Sequence, residues 1–232
     1  MRFVELFLVV LFGILSTFFW CSGQEQLGAK YGVRAVSTVE DYKRTCQQDT
    51  NQCLVALKDI IPEVVLDIKY ASEQNFMKKK MYSRAGAYLR LPAARALRAV
   101  QQELNARGLG LKVFDAYRPY RVTVAFYEQT KDTVYVASPR KGSRHNRGCA
   151  VDLTLIDLKS GSELAMPTSF DAFTPQAHAD YPDLPKEIRE NRALLKAVMT
   201  KHGFRVYPEE WWHFDYKNWS DFELLDIAFD DL

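Results

Sequence analysis

Beyond residue 60, hydrophobic positions recur with two different periods, and the alternation between them outlines the fold. VVLDIKY (64–70) alternates with period two, so Val64, Leu66, Ile68 and Tyr70 share one face of a predicted strand. PAARALRAVQQELNARG (92–108) switches to helical spacing. Leu97, Val100 and Leu104 form its apolar stripe, Pro92 opens it, and Gly108 or Gly110 ends it. LKVFDAY (111–117) reads as a strand and 121–130 as a helix. AVDLTLID (150–157) is apolar enough for a strand buried on both faces. After a loop rich in Pro, Asp and Thr (158–184), Pro185 begins a second long helix. Its buried side carries Leu195, Val198 and Met199, and Gly203 stops it. FRVY (204–207) and WWHFDYK (211–217) then pair across a Pro-Glu-Glu turn. Strands and helices alternate without βαβ regularity. That predicts an α+β fold, a mainly antiparallel central sheet with helices packed on it.

The pattern breaks at the N-terminus. One positive charge, Arg2, precedes an uncharged apolar run at 6–20, followed by small residues before a cut after Gly23. The run falls short of the roughly 20 residues of a membrane span. It reads as a signal peptide (1–23), removed on export, which leaves no stable span. An uncleaved anchor and a lipidated Cys21 are the alternatives. Residues 24–57 are polar and read as an irregular arm, so the expected division is 24–59 for the arm and 60–232 for one catalytic domain. Cys46 and Cys53, in CQQDTNQC, can close a small disulfide in an oxidising compartment.

Composition narrows the function. A chain of 232 residues, 47% hydrophobic and 26% charged, supports one sizeable core. A formal charge of +2 argues against a nucleic-acid partner held by a broad basic surface.

The candidate chemistry lies in three segments. In SRHNRGCAVD, His145 precedes Asp152 by seven residues, an odd spacing that one flat strand would split between its two faces. Gly148 can break that strand and bring both side chains to one side. Asp152 interrupts an apolar run, and a buried carboxylate requires a partner or a metal. In EEWWHFDY, Glu210 lies three before His213, and a bend would turn both into one cavity. Two His and one Asp make a zinc set with an open fourth position. A neighbouring Glu outside that set is what a hydrolase needs to take a proton from water. The alternative is an aromatic-flanked His and two satisfied core polar groups. In DAYRPYR, Pro119 holds Arg118 extended, where its guanidinium can bind a carboxylate or an oxyanion, or form a surface salt bridge. His178 and His202 read as solvated or structural.

Together these three segments, with DIKYASEQNF (67–76), MPTSFD (166–171) and NRALLKAVMTKHGF (191–204), resemble the zinc D-alanyl-D-alanine dipeptidases, the VanX-like group of the D,D-peptidase and hedgehog-like superfamily. The resemblance covers roughly 60–232. It implies one zinc ion per chain on His145, Asp152 and His213, a catalytic carboxylate at Glu210 and a transition-state arginine at Arg118. It also puts Ser143 at the substrate site and makes the substrate a small D-amino-acid dipeptide. Two departures stand out: Cys149 replaces an expected small residue such as Ser, and MPT replaces Met-Gly-Thr. The export signal is unlike the cytoplasmic members and points to a periplasmic or secreted enzyme of cell-wall metabolism. A D,D-carboxypeptidase or peptidoglycan endopeptidase of the same superfamily, or a non-catalytic zinc-containing binding module, would share parts of the pattern.

Overall fold

A computed structural model describes residues 28–232; the segment read as a signal peptide lies outside them. Helix α1 (Val39–Gln48) begins where the Thr38 side chain accepts a hydrogen bond from the Asp41 amide. The stretch read as irregular therefore carries a capped helix. Strand β1 (Leu54–Ala56) leads into the short helix α2 (Leu57–Ile60) and then β2 (Val65–Leu66). Strand β3 (Tyr88–Arg90) pairs antiparallel with β1 and runs directly into α3 (Leu91–Asn105). Next come β4 (Leu109–Asp115), α4 (Tyr120–Thr130), β5 (Ala150–Asp157), α5 (Lys186–Lys201), β6 (Phe204–Tyr207) and β7 (Glu210–Tyr216).

Five strands form the central sheet in the order β2-β4-β5-β7-β6. Only the β2–β4 pairing is parallel; β4–β5, β5–β7 and β6–β7 are antiparallel. The fold is thus α+β with a mainly antiparallel sheet. Helices α3 and α5 pack on each other and on this sheet. Leu97, Val100 and Leu104 from α3 and Leu195, Val198 and Met199 from α5 are all buried in the common core. Each such side chain contributes about 1.5–3 kcal/mol by leaving water. Strand β5 lies at the centre, buried along its length except at Asp157.

The strand expected over 64–70 is shorter than its alternation suggests. After the Asp67 amide donates to the Val113 carbonyl, the chain turns into a 3₁₀ helix at Lys69–Ala71. Ile68 and Tyr70 stay buried in either geometry, so the apolar pattern survives the change of backbone.

Two irregularities at one end of the sheet redirect side chains there. Between β4 and β5 the register shifts at Val113/Asp115, which makes Asp115 and Asp152 cross-strand partners. Between β6 and β7 the register shifts at Val206/Tyr207, which distorts the start of β7 at Glu210. The arm and the C-terminal tail hold the same end. Arg90 donates to the carbonyls of Gln52, Arg147 and Glu223, and the Leu225 amide donates to the Asn146 carbonyl. Among the described residues no helix is long and apolar enough to cross a membrane.

Candidate active site and metal centre

His145 opens a 3₁₀ turn (His145–Arg147) that ends on Gly148 at φ 67° and ψ 28°. This left-handed residue reverses the chain before β5 begins and offsets the odd spacing to Asp152. Asp152, in β5, faces His213, its cross-strand partner in β7. His145, Asp152 and His213 are all buried and bring one ligand atom each within 4.8 Å of one another. His145 Nε2 lies 3.1 Å from His213 Nδ1 and 3.4 Å from Asp152 Oδ2, and His213 Nδ1 lies 3.0 Å from Asp152 Oδ1.

These separations suit a shared cation. Tetrahedral ligands about 2.0–2.1 Å from a zinc ion stand roughly 3.3 Å apart. Asp152 Oδ1 is buried and makes no hydrogen bond despite its neighbour at 3.0 Å, an orphaned acceptor aimed at the point where the three side chains converge. On the far side of its ring, His145 Nδ1 is 2.6 Å from the Ala116 carbonyl, to which it donates. Burial alone would raise the Asp152 carboxyl, but the His145 and His213 rings hold it below the usual carboxylate range.

Glu210 lies at the distorted start of β7, and its Oε2 is 3.6 Å from His213 Nδ1. The bend turns it into the cavity that His213 faces. Burial pushes its carboxyl up to about 8, with His213 opposing. Arg118 follows the β4 bulge. Its Nε and Nη2 donate to Asp115 Oδ2 at 3.0 and 2.7 Å, and Nη2 lies 4.0 Å from Asp152 Oδ2. Its guanidinium lies over the Phe126 ring at 4.7 Å and the Tyr70 ring at 5.3 Å. It is therefore a buried, fixed cation and not a surface salt bridge. Ser143 is buried, and its Oγ accepts from the His145 amide at 3.2 Å.

Arg118, Ser143, Glu210 and the three metal-ligand candidates all line one cavity of about 640 Å³. Tyr135 and Phe173, stacked 5.0 Å apart, join the 131–144 and 158–184 loops across its wall. Asp171 lines the same cavity, and single-residue reasoning missed it. It holds φ at +58°, accepts from the Tyr70 hydroxyl at 2.9 Å, and burial pushes its carboxyl up to about 8, the Tyr70 hydrogen bond opposing. The only sequence signal for it was the MPTSFD stretch. His178 and His202 lie outside the cavity lining; His202 Nε2 pairs with Glu103 at 2.8 Å. Cys149 is buried, and its thiol is pushed up to about 12, chiefly by burial. Cys46 and Cys53 are free thiols.

Residues 50–225 match the family described as D-ala-D-ala dipeptidase, Peptidase_M15. The D-alanyl-D-alanine dipeptidase of Escherichia coli (strain K12) is 37% identical over 76% of this chain and 91% of its own length. That of Streptomyces coelicolor is 33% identical over 68% of this chain and 89% of its own length. Among solved structures, the LdcB LD-carboxypeptidase aligns with a TM-score of 0.42 at 22% identity, over 72% of this chain and 70% of that one, a distant likeness that adds nothing to the assignment.

Proposed function

Since the chain belongs to the D-ala-D-ala dipeptidase family of M15 metallopeptidases, we propose that it is a zinc dipeptidase acting on free D-Ala-D-Ala, exported to the periplasm or beyond, in cell-wall metabolism. The expected division is a signal peptide (1–23), an arm (24–59) and a catalytic domain (60–232). The observation that carries the reading is the convergence of His145 Nε2, His213 Nδ1 and the Asp152 carboxylate at 3.0–3.4 Å, with one buried carboxylate oxygen lacking any hydrogen bond.

His145, Asp152 and His213 would hold the zinc ion, which would supply a Lewis acid able to lower the pKa of water and polarise a peptide carbonyl. Glu210, beside His213, is the general base. It takes the proton as the water oxygen joins the peptide carbon, and returns it to the amine nitrogen as the C–N bond breaks. Arg118, held rigid by Asp115 and two aromatic faces, stabilises the negative charge that develops on the carbonyl oxygen. A free dipeptide also needs its ends recognised. Asp171 and the Tyr70 hydroxyl offer a site for the ammonium, and Ser143 lies at the substrate site beside His145. The stacked Tyr135–Phe173 pair narrows the cavity, which favours a small substrate over a wall peptide in an open groove.

The test is hydrolysis of LL, LD, DL and DD alanyl-alanine and of a wall pentapeptide, each with and without a chelator. Hydrolysis of the DD dipeptide alone, lost on chelation and restored by zinc, is expected. Faster cleavage of the pentapeptide would move the enzyme to the carboxypeptidases, and zinc binding without hydrolysis would make it a binding module.

A further inference from the structure

The two histidines present different ring nitrogens to the same point. His145 turns Nε2 inward, because Nδ1 must carry the hydrogen to donate to the Ala116 carbonyl at 2.6 Å. His213 turns Nδ1 inward, 3.0 Å from Asp152 Oδ1. Its outer nitrogen, Nε2, lies 2.9 Å from Asp215 Oδ1. A carboxylate only accepts, so Nε2 carries a hydrogen for Asp215, and Nδ1, the nitrogen facing Asp152 and His145, is the one whose lone pair a cation at the shared point would take.

Asp215 is built for this contact. It lies two residues after His213 in β7 and so shares its face. Its cross-strand partner in β5 is Ala150, whose small side chain offers no competing hydrogen bond. Its second oxygen, Oδ2, lies 3.6 Å from Arg144 Nε, and the Arg144 guanidinium lies over the Trp219 ring at 4.9 Å. Both carboxylate oxygens therefore have fixed neighbours, and the side chain is buried. We propose that Asp215 is a positioning residue for the metal centre: it holds the Nε2 hydrogen of His213, fixes the ring plane, and makes Nδ1 a stronger donor to the cation. The two outer partners are unequal: His145 Nδ1 donates to a neutral carbonyl, with Asp115 Oδ2 beyond hydrogen-bond reach at 3.9 Å, whereas His213 Nε2 donates to an anionic carboxylate. The second one matters more for affinity, because a charged acceptor polarises the ring more strongly.

The inference rests on the proposed metal centre. Its test uses the full chain, stripped with a chelator and titrated with zinc against a chromophoric competitor, for wild type, Asp215→Asn, Asp215→Ala and Arg144→Ala. Loss of such an outer partner typically weakens metal binding about 10- to 100-fold. Asp215→Ala is expected in that range. Asp215→Asn, which keeps an acceptor and loses the charge, should fall between it and wild type, and Arg144→Ala should change affinity least. In the zinc-loaded protein, ¹⁵N spectra should show the His213 Nε2 hydrogen held in a strong hydrogen bond in wild type, with that resonance shifted and its exchange with water faster in Asp215→Ala. A purely structural role for Asp215 would not move that signature. Zinc affinity within about twofold of wild type in both Asp215 variants, or an unchanged Nε2 resonance in the zinc-loaded Asp215→Ala protein, would overturn the inference and leave the metal centre standing. A wild-type chain that binds no zinc would bring down both.

Discussion

Asp152 in β5 and His213 in β7 stand directly opposite each other across a ladder in which Val151 faces Phe214 and Ala150 faces Asp215. Two of the three metal-ligand candidates are thus set by sheet register, and a one-residue slip would turn them to opposite faces. Only His145 comes from a turn. His213→Ala is expected to abolish stoichiometric zinc in the purified protein, read by elemental analysis. It also takes one of two buried imidazole neighbours from Asp152, which keeps His145 at 3.4 Å, so the metal-free state should lose stability by less than the roughly 3–5 kcal/mol of a wholly unpaired buried charge. Full zinc occupancy in that variant would remove His213 from the ligand set.

Glu210 is close to the metal centre but need not belong to it. Glu210→Gln keeps the shape and removes the proton acceptor. Zinc content should be unchanged while kcat falls by about 10²- to 10⁴-fold, the span of general acid–base catalysis. Turnover within tenfold of wild type would exclude Glu210 as the base.

Arg118 uses Nε and Nη2 together on one oxygen of Asp115, a planar grip that an ammonium cannot copy. Arg118→Lys should therefore lower kcat by about 10²-fold or more, as loss of one oxyanion donor does, with a smaller change in KM. A change confined to KM would reassign Arg118 to binding the ground state.

Gly148 combines a left-handed backbone with a tight neighbourhood. A Cβ there would overlap Leu54 Cδ2 and lie 3.3 Å from the Arg90 amide nitrogen. Gly148→Ala should destabilise the protein by about 1–3 kcal/mol, measured by denaturant unfolding. Zinc affinity should fall as well, because the same turn carries His145. Unchanged stability would mean that the β1–β3 ribbon yields freely and does not brace the turn.

Much of this was legible in the sequence wherever local chemistry and tertiary packing agree. Strand β5 was bounded correctly at 150–157 because its apolar run stops sharply at Asp157, and α5 because Pro185 and Gly203 punctuate it. The run at 64–70 misled because alternation marks which side chains are buried, and a 3₁₀ turn can bury Ile68 and Tyr70 as well as a strand can. The α1 helix is not evident in the sequence although Thr38, with Glu40 and Asp41 behind it, is an N-terminal capping signal; the segment is too polar overall to read as packed, and Tyr42 is its one buried side chain. At the site, the convergence of His145, Asp152 and His213 could be argued from a glycine and a buried charge. Asp171 and Asp215 could not, because their importance depends on which loop crosses the cavity and which strand face holds His213.

Asp171 offers a prediction whose sign is set by its surroundings. Burial at the cavity wall raises its carboxyl to about 8, against a hydrogen bond from Tyr70 that favours the charged form. The folded chain therefore keeps a proton that the unfolded chain releases above about pH 4. This contribution to stability is complete below that pH and is lost as pH rises through about 8. Asn at this position cannot titrate, tolerates the left-handed φ of +58°, and its amide oxygen can still accept from Tyr70. In chelated protein, free of a cation's own pull on the carboxyl, Asp171→Asn should thus gain melting temperature relative to wild type from pH 5 to pH 9. With zinc restored, the same variant should bind the dipeptide about 10- to 100-fold more weakly, the loss of one charged hydrogen bond to the ammonium. Parallel melting curves across that range would show that the wild-type carboxyl is ionised throughout. An unchanged KM would show that the ammonium is held elsewhere.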